Sequence, residues 1–416
     1  MNDGDRVQVE RNGQSHEGVV LPSSTQDTLV VKLDSGYNVG IDRETASVEV
    51  LRSNVHNIES AQGQEGQSRV EFDETLPTVS LISTGGTIAS TVDYRTGAVT
   101  AQFDAEDVLR AVPDLAGLAN YRGRVVANIL SENMTPAVWQ ELAQAVHEEI
   151  EAGADGVVVM HGTDTMQFTA SALAFMLDTP VPVVFTGSQR SADRPSSDNV
   201  MNAVCAVEAA TGDCAEVLVC MHTEGSDSRC ALHRGTRVRK NHTSRRDAFE
   251  TVGAAPLGAV DFEERSVEFR RGYRERGATD LDIAPDLETE VSLVKFTPGA
   301  GTEQLEAVAD SAGIVLEGTG LGHVNTAWIP EIEALTASGT PVVMTSQCIE
   351  GRVCDRVYDT GRDLLDAGVI EGEDMLPGTA TVKLMWVLAN TESGSVAERM
   401  QTPLAGEIQD RSVPWT

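Results

Sequence analysis

Pro77-Thr78-Val79-Ser80-Leu81-Ile82-Ser83-Thr84-Gly85-Gly86-Thr87-Ile88-Ala89-Ser90 is the stretch of the chain that decides the fold. Its apolar first half predicts a buried strand, and the paired glycines predict a sharp turn at the strand's carboxyl end. In open parallel α/β sheets, ligands bind at that end. Gly85 and Gly86 allow backbone N–H groups to approach a ligand closely, and Thr87 adds a hydroxyl. Taken alone, the stretch fits a substrate site and an ordinary capped turn equally well.

A second stretch repeats this arrangement and adds a carboxylate. The run Gly156-Val157-Val158-Val159-Met160 predicts another buried strand, which ends in His161-Gly162-Thr163-Asp164-Thr165-Met166 before a helical pattern begins. Two strands therefore end in small-residue turns that carry threonines. An isolated Thr-Asp pair usually caps a helix, and an isolated buried histidine such as His161 is usually part of a core, so the argument depends on the turns together.

Together the two turns resemble the signature motifs of the bacterial-type L-asparaginase/glutaminase family. The family's catalytic lysine lies in a Val-x-Lys-x-x-Thr-x-x-x-Asp-x-Phe segment, which here reads Val238-Arg239-Lys240-Asn241-His242-Thr243-Ser244-Arg245-Arg246-Asp247-Ala248-Phe249. The motifs occur in the family order. The resemblance implies an amidase in which Thr87 is the nucleophile and Thr163, Asp164 and Lys240 complete the catalytic set.

A threonine hydroxyl is a poor nucleophile at neutral pH and needs activation. We expect Thr87 to attack a side-chain carboxamide, so that ammonia leaves and water then releases the acid from an acyl-enzyme. Lys240 would favour the alkoxide or take its proton, and Asp164 would hold Lys240 or bind a substrate α-ammonium group. Thr163 would relay a proton or act on the water, and N–H groups near Gly86 and Thr163 would hold the oxyanion. Which threonine attacks first stays open.

The resemblance implies two further sites. A mobile lid with a tyrosine follows the first motif in the family, which here is Tyr94; the alternative is an ordinary surface loop. A Ser-Gln pair grips the substrate's α-groups in the family, and here that pair is Ser131 and Glu132, beside Gly86 as a further substrate contact. The replacement of glutamine by Glu132 changes that contact. The segment Gly318-Thr319-Gly320-Leu321-Gly322 lacks the full spacing of a nucleotide-binding turn.

The composition excludes several classes of protein. No run of 18 apolar residues predicts a transmembrane helix, and the N-terminus lacks the pattern of a secretory signal. Six cysteines without paired spacing predict buried, reduced thiols and a cytoplasmic protein, and eight histidines without ligand spacing predict no metal site. The 64 acidic residues against 31 basic ones suggest a high-salt cytoplasm, such as that of a halophilic archaeon. This balance argues against extensive contact with a nucleic-acid backbone.

The patterns predict an α/β protein in several parts. Five short strands in residues 1–52 predict a small SH3-like β-barrel, and 53–74 read as a flexible linker. Residues 75–272 and 291–416, joined by 273–290, predict a two-lobed asparaginase-like parallel α/β fold. The predicted strands of the two lobes are 79–82, 125–130, 156–160, 181–185, 217–221, 291–296, 313–317 and 341–345; the predicted helices are 105–111, 136–152, 169–177, 199–210, 301–309, 328–337 and 379–388, with a tail from Glu398.

The barrel and linker are additions to a plain asparaginase, and this arrangement resembles the amidase subunits of archaeal tRNA-dependent amidotransferases. The resemblance implies a chain that binds no cofactor, forms a homodimer and contacts tRNA little. It would release ammonia from glutamine or asparagine for a tRNA-binding partner that uses ATP and Mg to convert Glu-tRNA(Gln) to Gln-tRNA(Gln). The alternatives are a free-standing cytoplasmic L-asparaginase and a non-catalytic scaffold. The preferred amide, the ammonia path, the stoichiometry and the barrel's role stay open.

Overall fold

The computed structural model describes residues 5–11, 14–21, 28–33, 38–53, 73–85, 91–92, 99–100, 112–190 and 197–412. The predictions for Gly86, Thr87, Tyr94 and the helix 105–111 lie outside these ranges. The described chain comprises an N-terminal sheet, a larger α/β domain and a smaller α/β domain.

Five antiparallel strands form the N-terminal sheet, in the order β4-β3-β2-β1-β5. Apolar residues at alternate positions, among them Val7, Val9, Leu29 and Val31, are buried in its small core, as the two-residue period of a strand requires. Lys32 forms an ion pair of 2.6 Å with Asp114 of the larger domain. The strands are β1 (Arg6–Arg11), β2 (Gln14–Leu21), β3 (Thr28–Leu33), β4 (Asn38–Asp42) and β5 (Ser47–Arg52).

An eight-stranded sheet organises the larger domain, in the order β18-β17-β14-β13-β12-β10-β6-β9. The five strands from β9 to β13 along this order are parallel, as predicted, but β14, β17 and β18 are antiparallel. Only residues 223–228 separate β13 from β14, which is too short for the crossover that a parallel pair requires. The strands are β6 (Thr78–Ser83), β9 (Asn120–Val125), β10 (Gly156–Met160), β12 (Val183–Thr186), β13 (Val217–His222), β14 (Arg229–Arg234), β17 (Gly258–Asp261) and β18 (Ser266–Phe269).

The prediction of a strand at 125–130 is wrong, because the strand next to β6 is Asn120–Val125. The Asn120 amide donates to the carbonyl oxygens of Asp73 and Leu76, which fixes the start of β9 beside β6. Residues 126–130 instead cross the end of β6, where Ile129 N donates to Thr84 O at 3.2 Å. They lead into a 3₁₀ turn at Ser131–Asn133.

Among the described residues, three helices cover this sheet: α1 (Pro136–Glu151), α2 (Met166–Met176) and α3 (Asn199–Thr211). Helix α1 begins with an extended Thr135 and a proline in its first turn, as predicted. Its buried residues Trp139, Leu142, Val146 and Ile150 recur at helical spacing. Short two-stranded pairs complete the domain: β7 (Thr91–Val92) with β8 (Val99–Thr100), β11 (Leu177–Asp178) with β19 (Asp282–Ile283), and β15 (Val238–Lys240) with β16 (Phe249–Thr251).

The smaller domain contains four parallel strands in the order β20-β21-β22-β23. Its longest helix packs against α2 of the larger domain, and one hydrophobic core continues through both domains. The elements are β20 (Val291–Lys295), α4 (Glu303–Glu306), β21 (Gly313–Gly318), α5 (Ile329–Ala337), β22 (Val342–Ser346), α6 (Asp359–Asp366), β23 (Ile370–Glu371), α7 (Pro377–Asn390) and α8 (Val396–Gln401).

The prediction of a tail from Glu398 is wrong for the described residues up to 412. Helix α8 continues to Gln401, and the segment 402–412 then packs back against both domains. Lys383 of α7 donates to the carbonyl oxygen of Thr402 at 2.7 Å and pairs with Glu407 at 2.6 Å. Thr236, just before β15, donates to Ala405 O at 2.9 Å. The segment therefore joins α7 to the strands of the larger domain.

The thiol prediction is correct for four of the six cysteines. Cys205, Cys214, Cys220 and Cys230 are buried and unbonded, but Cys348 is exposed, because it lies in the loop after β22. Within the described ranges, no helix is both long and apolar enough to cross a membrane. The same residues contain no group of three or more His, Cys, Asp or Glu side chains arranged for a metal ion.

Candidate active site

The ends of three parallel strands meet at one edge of the larger sheet. β10 lies between β6 and β12, and its five residues are all buried. Thr84 N, after β6, donates to Met160 O at 3.1 Å, and His161 N donates to Thr186 O at 2.9 Å. The turn that carries Thr163 and Asp164 is thereby held between the turns that follow β6 and β12.

Glycines allow these turns to pack closely. Gly85 has φ of 103°, and a Cβ there would lie 2.5 Å from the carbonyl oxygen of Ile129. A Cβ at Gly187 would lie 2.5 Å from the carbonyl oxygen of His161 and 3.0 Å from Thr163 Cγ2. Since backbone atoms close to such a Cβ cannot move aside cheaply, glycine at these positions sets the spacing of the turns.

Lys240 reaches this edge from the hairpin of β15 and β16. Its Nζ donates to Thr163 Oγ1 at 2.9 Å and to Asp164 Oδ1 at 2.6 Å. The side chain of Lys240 is 10% exposed, whereas that of Asp164 is 66% exposed. Lys240 N also donates to Gln167 Oε1 at 2.9 Å, which ties the strand to the first turn of α2. The structure thus brings together three of the predicted catalytic residues from two distant segments.

This contact has a direct chemical consequence. Because the Lys240 ammonium group donates to Thr163 Oγ1, the threonine oxygen accepts that bond and its own proton can be donated elsewhere. The ammonium charge also stabilises negative charge that develops on the hydroxyl oxygen. Asp164 holds the ammonium group through one carboxylate oxygen, while Oδ2 lies 3.5 Å from Ser131 Oγ. The carboxylate therefore faces both the lysine and the open side of the site.

The predicted substrate residues differ in their placement. Ser131 is buried beside the catalytic turn, and its carbonyl oxygen accepts a hydrogen bond of 2.8 Å from Thr165 Oγ1. Glu132, the next residue of the 3₁₀ turn, is exposed to solvent on the same edge. Thr87, Gly86 and Tyr94 lie outside the described residues, so their predicted roles stay predictions.

His161 is a buried core residue beside the site. Its Nδ1 donates to Gly162 O at 2.6 Å, and its ring packs against Phe185. Burial lowers the pKa of His161 to about 4, so the imidazole is neutral at physiological pH. This agrees with the interpretation of His161 as a core histidine rather than a catalyst.

Sequence reasoning missed the residues that hold the site in place. The buried Asp198 carboxylate accepts from Ser188 Oγ at 2.9 Å and from the backbone N–H of Gln189 at 3.0 Å, which fixes the turn after β12. Asn202, one helical turn later, donates to Asp198 and to Gly187 O, both at 2.9 Å. The Ser-Gln-Arg turn and the Asp–Asn spacing of four residues were readable signals. Gln167 gave a weaker signal, as an amide one turn after Thr163.

Comparisons with known proteins agree with this architecture. Residues 78–274 match the family described as "Asparaginase, N-terminal", residues 290–400 the "Glutaminase/Asparaginase C-terminal domain" and residues 1–51 the "GatD N-terminal domain". The thermostable L-asparaginase from Thermococcus kodakarensis is 32% identical, with a TM-score of 0.73 over 80% of this chain and 99% of that one. L-asparaginase I from Vibrio cholerae is 28% identical, with a TM-score of 0.69 over the same shares.

The fold and the site therefore define an asparaginase-type amidase. Two curated relatives cover nearly the whole chain, and both are glutamyl-tRNA(Gln) amidotransferase subunits of the GatD type. The relative from Halobacterium salinarum is 67% identical over 99% of both chains, and that from Methanosarcina barkeri is 53% identical over 97% of both. The chain belongs to this GatD family of glutamyl-tRNA(Gln) amidotransferase subunits.

Proposed function

We propose that this chain is the ammonia-releasing subunit of a cytoplasmic tRNA-dependent amidotransferase. It hydrolyses the side-chain amide of glutamine or asparagine and supplies the ammonia to a larger partner protein. The partner binds Glu-tRNA(Gln) and uses ATP and Mg to make Gln-tRNA(Gln). The observation that carries the amidase step is the contact of Lys240 Nζ with both Thr163 Oγ1 and Asp164 Oδ1.

In the proposed mechanism, the Thr87 hydroxyl loses its proton and its oxygen attacks the amide carbon. The tetrahedral intermediate collapses, the C–N bond breaks, and the nitrogen leaves as ammonia with an added proton. Thr163 and Lys240 form the route for these protons, since the lysine orients the threonine oxygen. Water then attacks the acyl ester and releases glutamate or aspartate. Asp164 Oδ2 and Glu132 are the carboxylates that would receive the substrate's α-ammonium group.

The parts outside the amidase core support the assembly proposal. The N-terminal sheet, which we propose closes as an SH3-like barrel, matches the GatD N-terminal domain, which lies outside the two asparaginase matches. A net charge of −33 suits a subunit that contacts tRNA little, and it also suits a high-salt cytoplasm. We further propose that two copies of the chain form the core of the complex.

The proposal is tested by measuring ammonia release from glutamine and from asparagine, with and without Glu-tRNA(Gln) and the tRNA-binding partner. We expect amide hydrolysis by the wild-type chain, and we expect that Thr87→Ala abolishes it while the fold is retained. Ammonia release by a folded Thr87→Ala variant at the wild-type rate would reject Thr87 as the nucleophile.

A free-standing L-asparaginase is the second candidate, because solved L-asparaginases align over 80% of the chain. Affinity purification of the chain from its own cells at high salt separates the two. Recovery of a larger tRNA-binding protein with ATPase activity supports the amidotransferase. A chain recovered alone that hydrolyses asparagine at full rate without tRNA supports the asparaginase.

A further inference from the structure

A cavity of about 300 Å³ lies beside the β15–β16 hairpin and is lined by three arginines, Arg234, Arg237 and Arg271. None of the described residues that line this cavity is Asp or Glu, although acidic residues outnumber basic ones by two to one in the chain. The cavity lies between the larger domain and the C-terminal segment at Gly406–Gln409. Such a concentration of cationic groups is unusual for a protein with a net charge of −33.

Two of these guanidinium groups are fixed in position. Arg234 makes a bidentate contact with Glu216, at 2.6 and 2.9 Å, and Arg237 Nη2 contacts Asp374 Oδ2 at 2.7 Å. Neither carboxylate lines the cavity, and Asp374 is shared with Arg352, whose Nη2 lies 3.7 Å away. The ion pairs therefore hold the arginines in place without neutralising all of the positive charge around the cavity. Partial burial strengthens the field of this charge inside the cavity.

The rest of the cavity wall is largely apolar. Ala254, Ala255, Leu257 and Ile408 line it, and the Thr251 hydroxyl adds one polar group beside them. A wall of this kind suits a small organic molecule better than a hydrated ion. Guanidinium groups present paired N–H donors that match the oxygens of carboxylates and phosphates. We infer that the cavity binds the carboxylate or phosphate group of a small metabolite.

The position of the cavity connects it to Lys240. Arg237 directly precedes β15, which ends at Lys240, and Thr251 pairs with Val238 across the hairpin. An anion held between Arg237 and Arg271 therefore braces the base of the hairpin whose other end carries Lys240. The inference concerns binding and does not depend on the proposed function.

Calorimetric titration of the full chain at constant ionic strength tests the inference. The probes are inorganic phosphate, for a phosphate ligand, and malonate, for a carboxylate ligand, with chloride as the reference anion. The test variant is Arg271→Gln. The control is Arg270→Gln, because Arg270 is the adjacent arginine, is 56% exposed, pairs with Glu268 and does not line the cavity.

We expect saturable binding of at least one probe, with equal affinity in wild type and Arg270→Gln. Loss of a charge-assisted contact should weaken it at least about tenfold in Arg271→Gln. The probe should also protect the amides of β15 and β16 from hydrogen exchange. Arg271→Lys, which keeps the charge without the fork, should give an intermediate affinity if Arg271→Gln does not fold. No saturable binding by either probe, equal affinities in all folded variants, or protection confined to other segments would overturn the inference.

Discussion

Lys240 illustrates how much of the site depends on single side chains. Its Nζ contacts Thr163 and Asp164, and Gln167 holds its backbone N–H. Because Asp164 is 66% exposed, the Lys240–Asp164 ion pair contributes only about 0–1 kcal/mol to stability. The contact therefore matters to the chemistry far more than to the fold.

Lys240→Met should lower kcat for ammonia release by on the order of 10²–10⁴, because proton transfer and charge stabilisation at Thr163 are lost together. The thermal midpoint should change little. Lys295→Met is the matched control, since Lys295 is 55% exposed and pairs with Glu317 on the surface. Steady-state ammonia assays on both variants make the comparison. A Lys240→Met enzyme within tenfold of wild type would exclude the lysine from the chemistry.

Asp355 is a second residue with a measurable signature. Its side chain is fully buried, and both carboxylate oxygens lack a hydrogen-bond partner within the described residues. Burial, together with the nearby Glu371, raises the pKa of Asp355 to about 7. The folded chain therefore holds this proton between about pH 4 and pH 7, where the unfolded chain has released it. The contribution of Asp355 to stability falls as the pH rises through that window.

Asp355→Asn should flatten the pH dependence of unfolding between pH 4 and 7 and should raise stability at pH 8 by on the order of 2 kcal/mol, because no buried charge then forms. Urea unfolding at pH 4.5, 6 and 8 measures this. Asp363→Asn, at an exposed carboxyl of α6, controls for the loss of one acidic residue. Equal pH slopes for wild type and Asp355→Asn would show that Asp355 does not titrate in this range.

Residue types were predictable where a motif carried them, and less so where a contact did. The spacing around Thr163, Asp164 and Lys240 was sufficient to predict that they meet. By contrast, Asp198 was visible only as part of a charged stretch, because its role depends on the turn that its carboxylate holds. Gln167 depends in the same way on the hairpin that docks against α2.

At the scale of elements, the spacing of the strand ends is set by Gly187. A Cβ there would overlap the His161 carbonyl oxygen and press on Thr163 Cγ2. Gly187→Ala should therefore destabilise the protein by roughly 1–3 kcal/mol and lower amidase activity by moving Thr163. Gly225→Ala is the control, since a Cβ at Gly225 meets no atom of the described residues within 4 Å. Chemical unfolding and ammonia assays follow both changes. Equal behaviour of the two variants would show that the turns move apart at no cost.

The C-terminal segment depends on a buried ion pair. Lys383 and Glu407 are both fully buried, and the carboxylate also accepts the N–H groups of Leu404 and Ala405. Lys383→Met leaves that charge unpaired and should cost roughly 3–5 kcal/mol. Adding Glu407→Gln removes the charge but keeps an acceptor oxygen, so the double variant should recover part of the loss. A double-mutant cycle in urea measures this, and additive losses would contradict the coupling.

The elements that were predicted wrongly share a physical cause. The strand Asn120–Val125 contains charged residues and depends on hydrogen bonds to β6, so its own pattern is weak. The antiparallel strands β17 and β18 lie in a charged stretch whose pairing is decided by short connections. The segment after α8 has no apolar period, because polar contacts such as Lys383–Glu407 hold it. Periodicity reports burial on one face and not long-range polar contacts.

At the scale of the molecule, the two domains form one unit through a shared core. Helix α7 of the smaller domain packs on α2, and Thr379 donates to Thr236 O at 3.1 Å just before β15. The catalytic hairpin is therefore held from the side of the smaller domain as well as by its own. Alternating strand and helix patterns predicted both lobes, but no pattern within one lobe encodes the surface that docks on the other.

The charge of the whole chain predicts a strong dependence on salt. Acidic residues exceed basic ones by 33, so most carboxylates repel one another without a cationic partner. At about 1 M salt the screening length is roughly 3 Å, which removes repulsion between charges farther apart and affects buried pairs less. Raising KCl from about 0.1 to 2 M should therefore raise the thermal midpoint, by roughly 5–10 °C.

Calorimetric scans across this KCl series measure the effect, with sucrose at matched osmolality as the control for solvent exclusion. The increase should be steepest below about 0.5 M, where the screening length changes most. A midpoint that does not change with KCl, or one that rises equally in sucrose, would show that self-repulsion does not limit the stability of the folded chain.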